Sequence, residues 1–336
     1  MPSHSASAEV GDANDEARCS CDIGALPHFP ALLDETTFSY VSRAHRLASC
    51  ATRNSVISAL FGGQKIAVHR PLHSGFGAFS LHLYGQISNI ALAKHGLMAL
   101  FQTFSHPDRY AKALEQAMSG KPRAYLYLYS AQSEAAQKDA YFRASPALCT
   151  ACVEQDLRDF HFAYYRRQHQ VLACEYCAKH EKRLITYCGR CSSTLSFAGL
   201  PTLHCPDCGA SYASDEIAER GSCRPFKVRL SQFINSMLLG ELPSIPQSRR
   251  LEILAERSKK IVGSSSLAPG NALVGYIQSA YGNELLSQLR LSLAHQGSVE
   301  WPTKILSGTA MLESPTTNAL LTSALWDSAN EYFAEM

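Results

Sequence analysis

The sequence contains no long apolar run and has almost no net charge. Its N-terminal stretch is polar and carries charges of both signs, and no segment reaches the ~18 consecutive apolar residues of a membrane-spanning helix. We therefore expect neither a secretory leader nor a membrane partner, and we predict a cytoplasmic chain with reduced thiols. The formal net charge is +2 over 336 residues, so any contact with nucleic acid has to come from a local basic patch.

Motifs of common enzymes are also absent. The sequence contains no GxxxxGK[ST] phosphate loop, no HExxH and no GxSxG. Its acidic residues form no cluster resembling the two-metal site of a nuclease or transposase. We therefore predict no catalytic residues, no organic cofactor and no enzymatic activity. A zinc hydrolase is the weakest alternative, because it requires a zinc ion with a position open to solvent.

Cysteine, by contrast, is plentiful and regularly spaced. The chain has 12 cysteines, and two C-x-x-C pairs lie thirteen residues apart. Two turns that each present two thiolates complete the tetrahedron that Zn²⁺ favours, and Gly189 and Gly209 supply permissive backbone for them. Free thiols or a redox pair are the alternatives. We predict that one structural zinc ion is held by Cys188, Cys191, Cys205 and Cys208.

A second metal site is predicted upstream, where five candidate ligands compete for four positions. "CTAC" offers Cys149 and Cys152, and "CEYCAKH" offers Cys174, Cys177 and His180. The two-residue gap between Cys177 and His180 lets one turn present both side chains to an ion. We therefore predict that Cys174 is a nearby thiol and that the other four bind zinc; in the alternative, Cys174 replaces His180. Four protein ligands leave no place for a substrate, so both zinc sites are predicted to be structural.

Basic and aromatic residues are interleaved between residues 157 and 190. This stretch has seven basic residues and three acidic ones. The combination suits a phosphate backbone, whereas the alternative is a solvated surface whose aromatic residues fill a small core. The candidate DNA contacts, from this stretch and from the first predicted helix, are Arg43, Arg46, Arg166, Arg167, Lys182 and Arg183.

The rest of the chain is predicted to be mainly α-helical. Residues 1–22 are predicted to be a disordered tail. A helix capped by Asp34 and a second one capped by Asn54 fit a helix-turn-helix or any small helical bundle. A further helix is predicted to begin near Pro107 and to end at Gly120, followed by a short strand in "RAYLYLYS".

These elements predict a mainly α fold with small zinc-knuckle modules. An N-terminal domain that contains the helix-turn-helix is predicted at residues 25–144. Tandem zinc fingers follow at 145–222. Helical periodicity then predicts a C-terminal helical domain at 223–336.

Several stretches together resemble the TniQ/TnsD family of bacterial transposon target-selection proteins. "LPHFPALLDETTFSYVSRAHRLASC" is similar to the family's Pro-x-x-Asp-Glu start, and "LFGG" to the end of its helix-turn-helix region. The most specific match is "SPALCTACVEQDLRDFHFAYYRRQHQVLACEYCAKHEKRL", which places Cys177 and His180 on ligand positions and Cys174 on a non-ligand position. The resemblance covers roughly residues 25–330, without the extended C-terminal domain of the longer members.

The resemblance implies an adaptor that performs no bond chemistry. One surface engages double-stranded target DNA, or a CRISPR effector complex that supplies the target. Another surface recruits the AAA+ ATPase that activates the transposase, and a homodimer is compatible with this role. The main alternative is a zinc-containing helix-turn-helix transcriptional regulator.

Overall fold

A computed structural model describes most of the chain. The described residues are 28–48, 52–63, 66–68, 73, 75–120, 142–212, 223–241, 246–263, 269–289, 306–307 and 315–335. Within them the protein is mainly helical, as predicted, and its extended segments meet only in isolated β-bridges. The predicted N-terminal tail and the predicted strand "RAYLYLYS" lie outside the described residues.

The helices that precede the region of the predicted zinc fingers (residues 145–222, here the metal-binding region) form a small N-terminal group. They are α1 (Thr37–Leu47), α2 (Arg53–Leu60), α3 (Phe76–Tyr84), α4 (Ile90–His95), α5 (Ala99–Gln102) and α6 (Pro107–Met118). The boundaries predicted for α6 are confirmed. Pro107 occupies its first turn, where an N–H group is not needed, and Gly120 follows its end with a φ of 74°.

The remaining helices belong to the region of the predicted zinc fingers and to the C-terminal part of the chain. They are α7 (Thr150–Phe160), α8 (Arg167–Gln170), α9 (Arg224–Leu239), α10 (Gln247–Val262), α11 (Pro269–Gln288), α12 (Pro315–Leu325) and α13 (Ala329–Ala334). Helix α9 packs against α4 and α5 on the N-terminal side, against α8, and against α11 and α12 on the C-terminal side. None of the helices in the described ranges combines the length and the hydropathy needed to cross a bilayer.

Buried side chains from all three predicted regions join in one hydrophobic core. The Phe38 ring of α1 meets Phe197 of the metal-binding region edge-on, with centroids 4.8 Å apart. Arg250 of α10 donates to the carbonyl of Thr103 at 2.7 Å. The region between residues 145 and 222 therefore packs against α1, and the C-terminal helices contact the N-terminal ones directly. The predicted domain boundaries stay a prediction.

Two predicted helix caps are wrong, and in both cases a threonine takes the position. Thr36 caps α1, and Thr52 caps α2 in place of Asn54, each accepting the N–H of the third residue along. Asp34 lies before α1 in a left-handed conformation with a φ of 62°. Its carboxylate is unavailable for capping because it accepts a hydrogen bond from Arg167 Nε at 2.7 Å.

Candidate metal centres

The first metal cluster joins the start of a helix to a tight turn. Its four donors, Cys149, Cys152, Cys177 and His180, all lie within 4.8 Å of one another. His180 Nδ1 is 3.2 Å from Cys152 Sγ and 3.7 Å from Cys177 Sγ, and those two sulfur atoms are 3.6 Å apart. A tetrahedral zinc ion with ordinary bond lengths separates two sulfur ligands by about 3.8 Å, and sulfur from nitrogen by about 3.5 Å. The cluster can therefore hold a metal ion and is compatible with zinc.

The structure brings the four predicted donors together, and Cys174 is not among them. Cys174 is fully buried, and burial raises the pKa of its thiol to about 11, which keeps it protonated at neutral pH. Its backbone carbonyl accepts a hydrogen bond from the guanidinium of Arg143. Cys174 is therefore a buried neutral thiol beside the cluster.

The second metal cluster is built from two turns. Its donors, Cys188, Cys191, Cys205 and Cys208, also lie within 4.8 Å of one another. The sulfur atoms of Cys188 and Cys208 are 3.6 Å apart, as are those of Cys191 and Cys205. This cluster too matches the prediction and the sulfur spacing of a tetrahedral zinc site.

Three of the four ligand pairs share one backbone turn. The N–H of the first ligand donates to the carbonyl five residues later at 2.8 Å, in the turns that begin at Cys177, Cys188 and Cys205. The carbonyl of the same ligand accepts the N–H of the residue four positions later. That residue is left-handed in each turn: Glu181 has a φ of 53°, Ser192 of 60° and Gly209 of 70°.

Only one of the two predicted glycines has the left-handed backbone conformation of this turn. Gly209 holds the left-handed position of its turn, as expected. Gly189 is not among the residues with positive φ, so its predicted role is wrong; the equivalent left-handed position falls on Ser192. A serine there carries backbone strain that a glycine does not.

The remaining pair, Cys149 and Cys152, lies at the N-terminus of α7. The unpaired N–H groups and the dipole of that end of the helix favour thiolates. The guanidinium of Arg166 interacts electrostatically with Cys152 and is fixed on the buried carboxylate of Asp156, with N–O distances of 2.6 and 2.8 Å. The guanidinium carbon of Arg166 also lies 4.2 Å from the centroid of the Tyr164 ring. The role of Arg166 as a DNA contact stays a prediction, and both arms of its guanidinium are engaged by Asp156.

A buried polar stretch, residues 167–170 (here the RQHQ segment), holds both halves of the first cluster. The side chain of Gln170 exchanges two hydrogen bonds of 3.0 Å with the backbone of Ala147, just before the first ligand pair. Gln168 donates at 3.0 Å to the carbonyl of Tyr176, just before the second pair. The His169 side chain interacts electrostatically with the ligand Cys177.

Arg167, the first residue of the segment, connects distant parts of the chain and is 2% exposed. Its Nε donates to Asp34 at 2.7 Å, its Nη1 to the carbonyl of Gly96 at 3.0 Å and its Nη2 to the carbonyl of Leu238 at 2.9 Å. The predicted role of Arg167 as a DNA contact is therefore wrong. Its guanidinium ties the metal-binding region to the helices on both sides.

Arg43 is also buried, so its predicted role as a DNA contact is wrong as well. It forms a two-point ion pair with Glu35, with distances of 2.7 and 2.9 Å, and it donates to the carbonyl of Pro30 at 3.0 Å. Burial raises the pKa of Glu35, and the charge of Arg43 opposes that shift. Asp34 and Glu35 thus each supply a buried carboxylate that accepts hydrogen bonds from an arginine.

Of the other predicted contacts, Arg46 and Arg183 are exposed and Lys182 is partly exposed. No family model matches the chain, and no curated protein matches it. The resemblance to the TniQ/TnsD family therefore stays a prediction, and the metal clusters are the candidate site on which a functional proposal can rest.

Proposed function

We propose that this chain is a zinc-stapled DNA-targeting adaptor for transposition, without catalytic activity. In this proposal each cluster holds one structural Zn²⁺. One surface of the protein binds double-stranded DNA or a CRISPR effector complex, and another recruits an AAA+ ATPase. The resemblance to target-selection proteins supplies the biological setting. The geometry supports the physical requirement, which is rigid positioning.

The zinc assignment is supported by the donors and by their closed arrangement. Each cluster contributes four side-chain donors at tetrahedral spacing, which is the pattern of structural zinc sites. A catalytic zinc ion keeps one position for water or substrate, and here four protein donors fill the coordination sphere. Apparent binding energies of structural zinc are about 10 kcal/mol, comparable with the stability of a whole domain, so these ions would dominate the local fold.

One observation carries the DNA-binding part of the proposal: accessible cations lie on the turns that the clusters organise. Lys182 and Arg183 belong to the turn of the first cluster, and Arg190 lies between two ligands of the second. The hydrogen bonds of the shared turn fix the backbone at these positions. Cations on a rigid backbone meet phosphates with less loss of conformational freedom than cations on a mobile loop.

Salt-dependent binding to a DNA duplex tests this part. We expect the logarithm of the affinity to fall linearly with the logarithm of salt concentration, and the slope to decrease by about 2 when Arg183 and Arg190 are both replaced by alanine. The matched control is Lys259→Ala on α10, an exposed cation away from the clusters, which should leave the slope unchanged. Zinc content is measured for every variant. Binding that does not respond to salt contradicts the proposal.

Co-purification with an AAA+ ATPase encoded beside the gene tests the adaptor part. The tagged full-length, zinc-loaded protein should retain the ATPase with and without DNA. The double variant Arg183→Ala/Arg190→Ala should retain the ATPase while losing DNA affinity, because the proposal places the two partners on different surfaces. Loss of both partners with intact zinc content would contradict that separation.

A further inference from the structure

A groove of about 800 Å³ runs between the ends of α1 and α7 and the loop that precedes Cys205. Arg46 lines it from α1, Leu157 and His161 from α7, and Leu203 from the loop. Its size falls within the range of ordinary ligand pockets. None of the metal ligands lines the groove, and neither do Lys182, Arg183 or Arg190, the cations proposed to contact DNA.

Hydrogen bonds and ring packing within the chain hold the walls of the groove together. Ser42 Oγ on α1 donates to the carbonyl of Ala198 in the loop at 3.2 Å. Arg53 on α2 donates to the carbonyl of Phe197 at 3.1 Å, and the ring of Phe197 packs edge-on against Phe38. The loop also connects two ligand pairs of the second cluster, so that its far end is anchored by Cys205.

The lining combines apolar side chains with three histidines, and Arg46 brings a positive charge to one end. None of the described residues that line the groove carries a carboxylate, and Arg46 has neither an ion pair nor a hydrogen bond within the described residues. Large apolar side chains are exposed on the same elements. Leu157 is 38% exposed, Phe160, which precedes His161, is 42% exposed, and Leu47 beside Arg46 is 56% exposed. Exposed apolar side chains near a groove are typical of an interaction surface.

We infer that this groove binds a peptide segment of a partner protein that carries carboxylates and large apolar side chains. Apolar side chains of the segment fill the space beside Leu157 and Leu203, and a carboxylate pairs with the Arg46 guanidinium. A DNA backbone fits less well, because a run of phosphates needs several cations. Both helices also direct their C-terminal ends, with the negative end of the dipole, toward this surface, which disfavours any anion that does not pair directly with Arg46.

This inference goes beyond the proposed function and does not depend on the DNA-binding part of it. A library of random dodecapeptides is displayed and selected on the full-length, zinc-loaded protein. Selected peptides are then synthesised and titrated by fluorescence anisotropy, in parallel with a DNA duplex. We expect the selected peptides to be enriched in Asp, Glu, Leu and Phe.

Groove variants decide whether these peptides bind at the stated place. Arg46→Glu should weaken peptide binding about tenfold or more by charge reversal, and Leu157→Ser about fivefold by loss of apolar contact. Both positions are exposed, so that neither change disturbs the core. Arg183→Glu, an exposed arginine outside the groove, is the matched control and should leave peptide affinity within about twofold.

Each outcome supports or overturns the inference. Peptide binding that depends on Arg46 and Leu157 and not on Arg183 supports it, whether or not the duplex affinity of Arg46→Glu also falls, because Arg46 is itself a candidate DNA contact. Selection that returns no peptides, or peptides that bind the groove variants as well as the original protein, overturns it. Loss of duplex affinity in Arg46→Glu without peptide binding overturns it in favour of a nucleic-acid surface. Failure of DNA binding alone affects the proposed function and leaves this inference standing.

Discussion

The two metal clusters differ in how deeply their donors are buried. In the first cluster the three sulfur ligands are at most 2% exposed, and His180 is partly buried. In the second, Cys188 and Cys205 are equally buried, but Cys191 is exposed and Cys208 is partly exposed. Solvent and chelators can therefore reach one side of the second cluster without any unfolding, whereas the first lies within the core.

The clusters also differ in what they hold together. The first joins α7 to a knuckle turn, and the RQHQ segment connects it to the helices on both sides. The second joins two knuckle turns and supports the loop that forms one wall of the groove. A metal ion in the first cluster would therefore stabilise the whole fold, and one in the second would stabilise one surface. The predictions below test this difference, beginning with the largest effect.

Removal of one ligand from each cluster should separate the two roles most clearly. We expect Cys177→Ser to lose one zinc ion and to unfold the central part of the chain, a loss above about 5 kcal/mol, because metal binding and folding are coupled there. Cys191→Ser should also lose one zinc ion but keep the helical circular dichroism and the main melting transition. Elemental analysis and thermal melts measure both quantities.

Cys174→Ala is the control for these ligand variants. Cys174 is as buried as the ligands but lies outside the cluster, so its variant should retain two zinc ions per chain. Equal loss of helical structure in Cys177→Ser and Cys191→Ser would mean that the clusters do not differ in the way described.

The next largest effect is expected at Arg167, which links the first cluster to distant helices. Arg167→Ala leaves the buried carboxylate of Asp34 and three carbonyl groups without their donor, and it should destabilise the protein by about 3–5 kcal/mol. Arg167→Lys keeps the charge but not the forked geometry, so we expect it to recover only part of the loss. Denaturant unfolding measures both variants. Full stability of Arg167→Lys would show that charge alone is required.

The sequence was most informative about the metal ligands, and the reason is local. Each C-x-x-C or C-x-x-H pair is complete within one turn, and the turn geometry follows from a few neighbouring residues. The end of α6 at Gly120 and of α9 at Gly240 could be predicted for the same reason, since a left-handed glycine stops a helix.

The arginines could not be assigned from the sequence, because a charged residue does not indicate its own partner. Asp34 and Arg167 are 133 residues apart, and their ion pair exists only once the helices have packed. Both residues therefore received wrong roles, one as a helix cap and one as a DNA contact. The run of polar residues from Arg167 to Gln170, with no turn residue among them, was the available signal that a buried polar segment lay there.

The side chains that support the ligands give a smaller test of the same comparison. His169 interacts electrostatically with Cys177 in the first cluster, and Tyr212 with Cys205 in the second. Burial raises the pKa of Tyr212, so its hydroxyl group is a neutral donor at physiological pH. We expect His169→Phe and Tyr212→Phe each to lower zinc affinity by about tenfold, as is typical of residues that hold a ligand in place. Competition with a zinc-binding dye measures both affinities.

These two variants should still differ in their effect on stability. His169→Phe should also lower the unfolding midpoint of the whole chain, because the first cluster lies in the core. Tyr212→Phe should change the zinc affinity with little effect on that midpoint. A global loss of stability in Tyr212→Phe would extend the stabilising role to the second cluster.

The smallest predicted effect lies within the second cluster, whose two turns hold different residues at the same left-handed position. Ser192 and Gly209 both follow the second ligand of their turn, with φ values of 60° and 70°. Gly209→Ala should destabilise the cluster by about 1 kcal/mol, because a side chain disfavours this conformation. Ser192→Gly relieves the same strain but increases the freedom of the unfolded chain, so we expect a gain of only a few tenths of a kcal/mol. Rates of zinc release to a chelator measure both variants, and a faster release from Ser192→Gly than from Gly209→Ala would contradict the assignment of strain to Ser192.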